Sequence, residues 1–316
     1  SGWCCNGAIP DRPSSMPDIS VIARHALTVL AGQLAVMAFG VTDTIVAGRF
    51  SADALAALSV ASAVFVSVYV SLMGVLQALL PVWAEQHGRG ETAAIGQSFR
   101  QSLYLAAAAS VLGMGVLLFP EPLLRLTEVP DAMRESVRDY LIIVGWALPS
   151  ALFFRLYTTL NQALGRPQLV TWIQVGALVL KVPLSIWFTF GGWGIAPQGA
   201  AGCAWATLLV DYAIAIAAVV LMRTQGFYRP LHLWQRLEAP DWPRLREFLR
   251  LGIPAGLAIG VEVTSFTLVA LFVARQGTLS AASHQIAANL AAVCYMLPLS
   301  LGIAVSARAS WWRGQG

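Results

Sequence analysis

Apolar residues along this chain group into eight long runs, separated by short polar or Gly- and Pro-rich breaks. A helix that crosses a bilayer needs about 20 mostly apolar residues, and most of these runs reach or approach that length. The breaks contain turn-forming sequences such as QHGRGE and GGWGIAPQG. The pattern predicts an all-α, polytopic membrane protein with eight transmembrane helices, at residues 26–48, 54–83, 102–119, 140–154 (extended to about 159), 169–190, 200–222, 251–274 and 281–307.

Basic residues are distributed unevenly between the two sides of these helices. If the amino terminus is cytoplasmic, fourteen arginines fall on the cytoplasmic side, one of them the Arg155 that interrupts the fourth run. The five on the opposite side are Arg49, Arg125, Arg134, Arg138 and Arg275. Cytoplasmic segments of membrane proteins are enriched in Lys and Arg, so the asymmetry predicts that both ends of the eight-helix segment are cytoplasmic.

A weak internal repeat relates the two ends of the chain at an offset of 226 residues. Tyr69 and Tyr295 are identical at this offset, as are Gly88 and Gly314, and the offset aligns the first two predicted helices with the last two. Six helices separate the copies, so the repeats would share one orientation, as parallel repeats of transporters do. Chance similarity between apolar helices is the alternative explanation.

The repeat and the charge pattern together predict four parts of the chain. Residues 1–20 form a disordered leader and residues 21–225 a first six-helix lobe. Residues 226–250, the longest and most basic loop, form a cytoplasmic linker. Residues 251–316 contain the first two helices of a second lobe, which we expect to be truncated.

Composition narrows the classes of function that fit. Hydrophobic residues make up 57% of the 316 residues and charged residues 11%, whereas soluble domains contain about 25% charged residues. The net charge of +4 is small and the arginines are not grouped with aromatic residues, so we predict no nucleic-acid partner. We find no constellation of nucleophiles, histidines or metal ligands, so we predict neither an enzyme nor a metal site or cofactor.

Four ionisable side chains fall within predicted spans: Asp43, Lys181, Asp211 and Glu262. A charge at the centre of a bilayer costs roughly 2.5–3.5 kcal/mol on insertion scales, so such residues normally face a helix bundle or a wet cavity. Glu262 lies near the middle of its run. A buried carboxylate there could exchange a proton or bind a hard cation such as Na⁺. A protonated Glu that is hydrogen-bonded to a neighbouring helix is the structural alternative.

The other polar residues of the spans allow more than one interpretation. Asp43 and Lys181 belong to the same predicted lobe and invite pairing, because an unpaired charge would be costly there. Asp43 could instead be a residue of the membrane interface, and Asp211 could be a third partner or a core group. Gln285 and Asn289 lie one turn apart on one helix face, where they could line a cavity or bond a neighbouring helix.

Several stretches of the chain resemble the multidrug and toxic-compound extrusion (MATE) family, especially its NorM-like bacterial branch. The matching stretches are VTDTIVAGRFSADALAALSVA, ALLPVWAEQHGRGE, GGWGIAPQGAAGCAWAT, LGIPAGLAIGVEVTSFTLVAL and AASHQIAANLAAVCYMLPLSLGIAVSAR. They cover nearly everything from about residue 20 to residue 308. The resemblance implies twelve helices in two six-helix lobes around a central cavity, of which this chain would contain eight.

The resemblance also implies roles for particular residues. Glu262 matches the cation-binding Glu of the second lobe, and Asp43 matches a first-lobe Asp implicated in proton coupling. Lys181 stands where the family has Asn, and its polar partner four residues on is Ser185. The family's tenth-helix Asp, which completes the Glu site, would lie beyond residue 316. We hypothesise that Lys181 is a tethered cation that pairs with Asp43 in place of a bound ion.

The function implied is a secondary active antiporter that exports organic cations or drugs in exchange for H⁺ or Na⁺, without another cofactor. We expect ion coupling at Glu262, Asp43 and Lys181, and a cavity lined by Gln285, Asn289, Ser185 and Asp211. Na⁺ could bind at Glu262. The expected setting is the inner membrane of a bacterium, with the amino terminus in the cytoplasm. The expected partners are membrane lipid and small amphipathic or cationic substrates, and the expected state is monomeric. A flippase for lipid-linked oligosaccharides and a non-functional fragment are the alternatives.

Overall fold

The computed structural model describes residues 18–316 apart from 122–130, 193, 195 and 275–277. Within those ranges, side chains are described for all residues except 18, 131–132, 267–268, 270–271, 273–274, 278–286 and 288–289. The described residues form nine α-helices and one 3₁₀ helix. The α-helices are α1 (Asp18–Phe50), α2 (Ala52–Gln77), α3 (Leu80–Gly88), α4 (Thr92–Leu118), α5 (Asp131–Ala163), α6 (Pro167–Phe190), α7 (Ala200–Thr224), α8 (Trp242–Ala274) and α9 (Thr278–Gln315), and the 3₁₀ helix is Gly226–Leu231.

Eight helical segments of the described residues are long and apolar enough to cross a membrane, which confirms the predicted all-α, polytopic fold. The second of these segments contains both α2 and α3. The predicted span 54–83 is therefore not one continuous helix, since a short turn at Ala78 and Leu79 divides it. The fourth segment, in α5, continues through Arg155 as the extended span predicted, and it ends at Ala163, beyond the predicted end near residue 159. The buried Arg155 side chain is accommodated because its guanidinium donates a hydrogen bond to Gln77 on α2.

Helix α5 lies at the centre of the first six spans and packs against α2, α4 and α7. Its side chains supply much of the buried core, including Leu148, Leu152 and Tyr157. Helix α6 completes the group by packing between α1 and α7. The outer faces carry exposed apolar residues such as Val111, which is 70% exposed. This apolar periphery is the surface that a helix bundle presents to lipid.

The last two helices pack against the first lobe through reciprocal contacts. Helix α8 lies along α2, whereas α9 lies along α1 and α3. Glycines allow both contacts to be close: a Cβ atom at Gly74 of α2 would lie 2.9 Å from the Cα atom of Gly256 of α8. A Cβ at Gly88 of α3 would lie 3.2 Å from the Cα of Gly314 of α9. A two-fold axis relating α1 to α8 and α2–α3 to α9 would exchange the α2–α8 contact with the α1–α9 contact and would map the α3–α9 contact onto itself.

The segment between α7 and α8 is fastened to the first lobe. Tyr228 of the 3₁₀ helix is buried, and its hydroxyl donates a 2.6 Å hydrogen bond to Oδ1 of Asn161 on α5. Burial raises the pKa of this hydroxyl above its ordinary value. Helix α8 then begins at Trp242, earlier than the predicted span at 251, so the carboxyl-terminal part of the predicted linker 226–250 is helical.

A polar cluster on α4 holds the segment that leads into α8. The guanidinium of Arg100 donates to the carbonyl of His232 at 2.6 Å and to Glu238 at 2.7 Å. Gln101 donates to the carbonyl of Ala239 at 3.0 Å. The hydrogen bond from Arg100 is the main reason why the pKa of Glu238 is below its ordinary value. These contacts fix the position from which α8 starts.

Candidate functional site

A buried ion pair joins α1 to α6 inside the first lobe. The ammonium of Lys181 lies 2.9 Å from Oδ2 of Asp43. The other carboxylate oxygen, Oδ1, accepts a 3.0 Å hydrogen bond from the hydroxyl of Ser185, one turn along α6. The side chain of Lys181 is 1% exposed and that of Asp43 is 11% exposed. The pairing hypothesised from the sequence is therefore present as a contact, and its role in ion coupling stays a prediction.

Helix α7 supplies the remaining contacts of the Lys181 ammonium. Nζ donates hydrogen bonds to the hydroxyl of Thr207 and to the carbonyl oxygen of Cys203, the latter at 3.4 Å. The hydroxyl of Thr207 in turn donates to the Cys203 carbonyl at 2.9 Å. The thiol of Cys203 points the other way, toward the backbone oxygen of Asp43 at 3.9 Å. Three helices therefore converge on one buried ammonium.

Asp211 adds a second carboxylate to this group. It lies one turn beyond Thr207 on α7, and it is near enough to interact electrostatically with both Lys181 and Asp43. Of the two interpretations left open by the sequence, this position favours a third partner over an unrelated core group. When all three groups are ionised, the ammonium is in contact with the Asp43 carboxylate and within electrostatic range of the Asp211 carboxylate. The net charge of −1 leaves room for one proton or one small cation.

Glu262 lies in a second polar contact, between α8 and α9. Its carboxyl is partly buried and hydrogen-bonded with the phenol of Tyr295 on α9. This contact is the one expected from the alternative interpretation of Glu262, a Glu that is hydrogen-bonded to a neighbouring helix. Because Tyr295 is 46% exposed, the pair is open to its surroundings, whereas the Asp43–Lys181 pair is enclosed. The described interactions of the two sites do not connect them.

Two of the predicted cavity-lining residues cannot be located in the same way. Gln285 and Asn289 belong to α9, but their side chains lie outside the described residues, and so does that of His284. Of the other predicted site residues, the structure brings together Asp43, Lys181, Ser185 and Asp211.

Sequence reasoning missed a polar group around Arg155. The Arg155 side chain belongs to a small enclosed group with Gln33, Gln162 and Gln174, next to its partner Gln77. The signal was present, because glutamines recur in otherwise apolar runs, but Arg155 was interpreted only as an interruption of the fourth run. Among the described residues, the lobe contains three buried cations, Arg100, Arg155 and Lys181.

Comparison with known proteins gives consistent results. The sequence model of the MatE family matches residues 29–187. The chain is 38% identical over 299 residues to a probable multidrug resistance protein NorM of Aromatoleum aromaticum, covering 93% of this chain and 64% of that protein. It is 31% identical over 292 residues to the multidrug resistance protein MdtK of Yersinia pestis, covering 92% of this chain and 64% of that protein.

Solved structures agree with the sequence relatives. The fold is similar to that of the MATE transporter NorM-NG, solved as a complex that includes a monobody, with a TM-score of 0.75 and 27% identity, over 92% of this chain and 63% of that one. The eukaryotic MATE transporter AtDTX14 shares the fold at a TM-score of 0.83 and 17% identity, over 94% of this chain and 66% of that one. This chain thus spans slightly less than two thirds of the length of these bacterial relatives.

Proposed function

This chain belongs to the MATE family, whose members are transporters and not enzymes, and we propose that it is part of a secondary active antiporter. The antiporter exports organic cations or other drugs in exchange for H⁺ or Na⁺. It lies in the inner membrane of a bacterium, with its amino terminus in the cytoplasm. The names of the bacterial relatives, which refer to multidrug resistance, support the substrate class. The arginine asymmetry between the two sides of the spans supports the orientation.

The observation that carries the proposal is the charge of the group around Lys181. Asp43 and Asp211 outnumber the ammonium by one, and all three groups belong to helices that cross the membrane. Because an uncompensated charge is costly in a bilayer, this group gains from taking up a proton or a small cation. Uptake and release at such a group can be coupled to a change in helix arrangement only if the two arrangements differ in ion affinity.

Glu262 is the second ion-coupling candidate in this proposal. Its carboxyl has one neutral hydrogen-bond partner, Tyr295, and no cation among its described contacts. A carboxyl in that setting can take up a proton, and its oxygens can bind a hard cation such as Na⁺. The polar group around Lys181 in the first lobe and the carboxyl of Glu262 on α8 would then respond to the same ion gradient.

The proposal is tested by transport in proteoliposomes that contain the complete gene product. The first substrate to test is a fluorescent organic cation, a dye of the rhodamine class. A pH gradient and a Na⁺ gradient are imposed separately, in the absence of ATP. We expect dye movement against its own gradient with one of the two ions. If neither gradient drives dye movement in protein that binds the dye, the antiporter proposal is wrong.

A flippase for lipid-linked oligosaccharides is the second candidate. The observation that favours it is the presence of three buried cations in the described spans, Arg100, Arg155 and Lys181, because a polyanionic substrate needs a basic path. The same vesicles distinguish the two functions, since a flippase would move a fluorescent lipid-linked sugar between leaflets and leave the dye in place.

A further inference from the structure

A cavity opens at one end of the bundle, where four elements meet. It has a volume of about 600 Å³ and is lined by the start of α1, the end of α3, the turn between α5 and α6, and the end of α9. All four elements lie at the membrane face that carries the arginine excess. The cavity is separate from the Asp43–Lys181 pair and from Glu262, neither of which lines it.

The described residues that line this cavity include cations and no Asp or Glu. Arg24, Arg166 and Arg308 come from three different elements, and His25 and His87 add two imidazoles. Nε2 of His25 is buried and has no hydrogen-bond partner among the described residues. An open cavity with this lining has a positive potential, which favours an anionic occupant.

The amino terminus of α6 strengthens this potential. Gly165, at φ +70°, turns the chain, and Pro167 starts a helix of 24 residues. The side chain of Arg166 does not cap the helix. The first backbone N–H groups of a helix have no partner within it and carry the positive end of the helix dipole. Gln168 and Leu169, which carry such groups, line the cavity.

Aromatic residues show where the mouth of the cavity lies relative to the membrane. Trp172, which lines the cavity within the first two turns of α6, is 74% exposed. The guanidinium of Arg308 lies 4.2 Å from the ring centroid of Trp311, another lining residue. Tryptophan is enriched at the level of the lipid headgroups. A basic cavity that opens between helices at this level faces the phosphates of the membrane rather than only the solvent.

We propose that this cavity binds the headgroup of an anionic phospholipid, with the lipid phosphate held by Arg24, Arg166 and Arg308 and by the amino terminus of α6. The acyl chains would leave past Trp172 into the bilayer. Since the lipid contacts both α1 and α6 of the first lobe and α9, it would link the first lobe to the helices that follow the linker. The site is independent of which substrate or ion the transporter uses.

The test is a lipid titration of the complete gene product followed by native mass spectrometry, with phosphatidylglycerol and phosphatidylcholine compared. We expect one tightly bound phosphatidylglycerol and a clear preference for it over phosphatidylcholine. A double variant, Arg24→Gln with Arg308→Gln, is expected to weaken phosphatidylglycerol binding by about five-fold for each arginine removed. The charge-preserving variant, Arg24→Lys with Arg308→Lys, should retain most of the binding and shows whether the site still folds.

A matched control removes the same charge elsewhere on this side. Arg236 and Arg246 are exposed and do not line the cavity, so Arg236→Gln with Arg246→Gln should leave lipid affinity within about two-fold of the unaltered protein. Equal loss in the control and in the cavity variant would overturn the proposal, because binding would then follow overall charge. Binding of glycerol 3-phosphate as tight as that of phosphatidylglycerol would overturn the lipid assignment in favour of a soluble anion.

Discussion

At the scale of single residues, the most constrained feature is the pair of Asp43 and Lys181. The sequence suggested the partners, because one acid and one base in the same apolar lobe must compensate each other. It could not predict the contacts from α7, since Thr207 and Cys203 look like ordinary polar residues of a helix. Nor could it choose between the two interpretations of Asp211, which differ only in the rotation of α7 relative to α6.

The Asp43–Lys181 pair predicts a non-additive double-mutant cycle. Breaking a buried pair by removing one partner typically costs about 3–5 kcal/mol, and Lys181→Asn would leave two carboxylates without their ammonium. We expect Lys181→Asn to destabilise the protein more than Asp43→Asn does. The double variant should be more stable than the sum of the two changes predicts. Thermal unfolding in one detergent measures all four proteins, and additive effects would contradict direct pairing.

Glu262 allows its carboxyl to be separated from its hydrogen bond. Glu262→Gln keeps the size of the side chain but cannot titrate, so we expect ion-driven dye transport to fall to background while dye binding remains. Tyr295→Phe removes the hydrogen bond that joins α8 to α9 and keeps the carboxyl. That variant should still transport. Normal transport in Glu262→Gln would remove this residue from the coupling scheme.

At the scale of helices, the spans were predictable because each needs only a run of apolar residues. The predicted first and last residues of the spans were less accurate where tertiary contacts extend a helix. Helix α8 starts at Trp242, and the backbone N–H of Arg244 is 3.4 Å from the side chain of Asp241. An acidic residue before a Pro-containing first turn indicates the start of a helix. Residues 242–250 are less apolar than a membrane span, so the predicted span began later, at residue 251. The attachment of the linker to α4 has no signal in the sequence of either segment.

The close contact between α2 and α8 depends on glycine, and this predicts a steric effect. A Cβ at Gly256 would lie 2.7 Å from the backbone oxygen of Ser71, a distance at which the helices must move apart. We expect Gly256→Val to destabilise the protein by about 1–3 kcal/mol, as overpacking does. Gly115→Ala on α4 is the control, because a Cβ at that position would have no neighbouring atom within 4 Å. Similar unfolding temperatures for the two variants would argue against a tight α2–α8 contact.

The linker contact predicts a dependence on pH. Arg100 keeps the pKa of Glu238 below its ordinary value of 4.5. The stabilisation by the ionised carboxylate is therefore complete above that value and is lost as the pH falls through the lowered pKa. We expect the protection of the linker amides against hydrogen exchange, after correction for the intrinsic pH dependence of exchange, to fall below about pH 4.5 in the unaltered protein, with no such change in Glu238→Gln. Glu247→Gln, at an exposed position on α8, should behave like the unaltered protein.

At the scale of the whole molecule, the repeat is a weak pattern in sequence and stays a prediction, but one pair of its equivalent positions is in contact. Gly88 and Gly314 are equivalent positions at the offset of 226, and they meet where α3 contacts α9. Residues that lie near a two-fold axis contact their own equivalents, so the same small residue is needed twice. If such an axis relates the two copies, it would account for the glycine that is shared at this offset.

The orientation of the bundle is the property of the whole molecule that the sequence predicts through charge alone. Gln198 and Gln225 are both exposed and flank α7, so they must lie on opposite sides of the membrane if α7 crosses it. In a background where Cys4, Cys5, Cys203 and Cys294 are replaced by Ala, an impermeant maleimide should label Gln198→Cys in intact cells and leave Gln225→Cys unlabelled. Inverted vesicles should give the opposite pattern. Labelling of Gln225→Cys in intact cells would mean that the arginine-rich face lies outside, and the lipid cavity would then open to the outer leaflet.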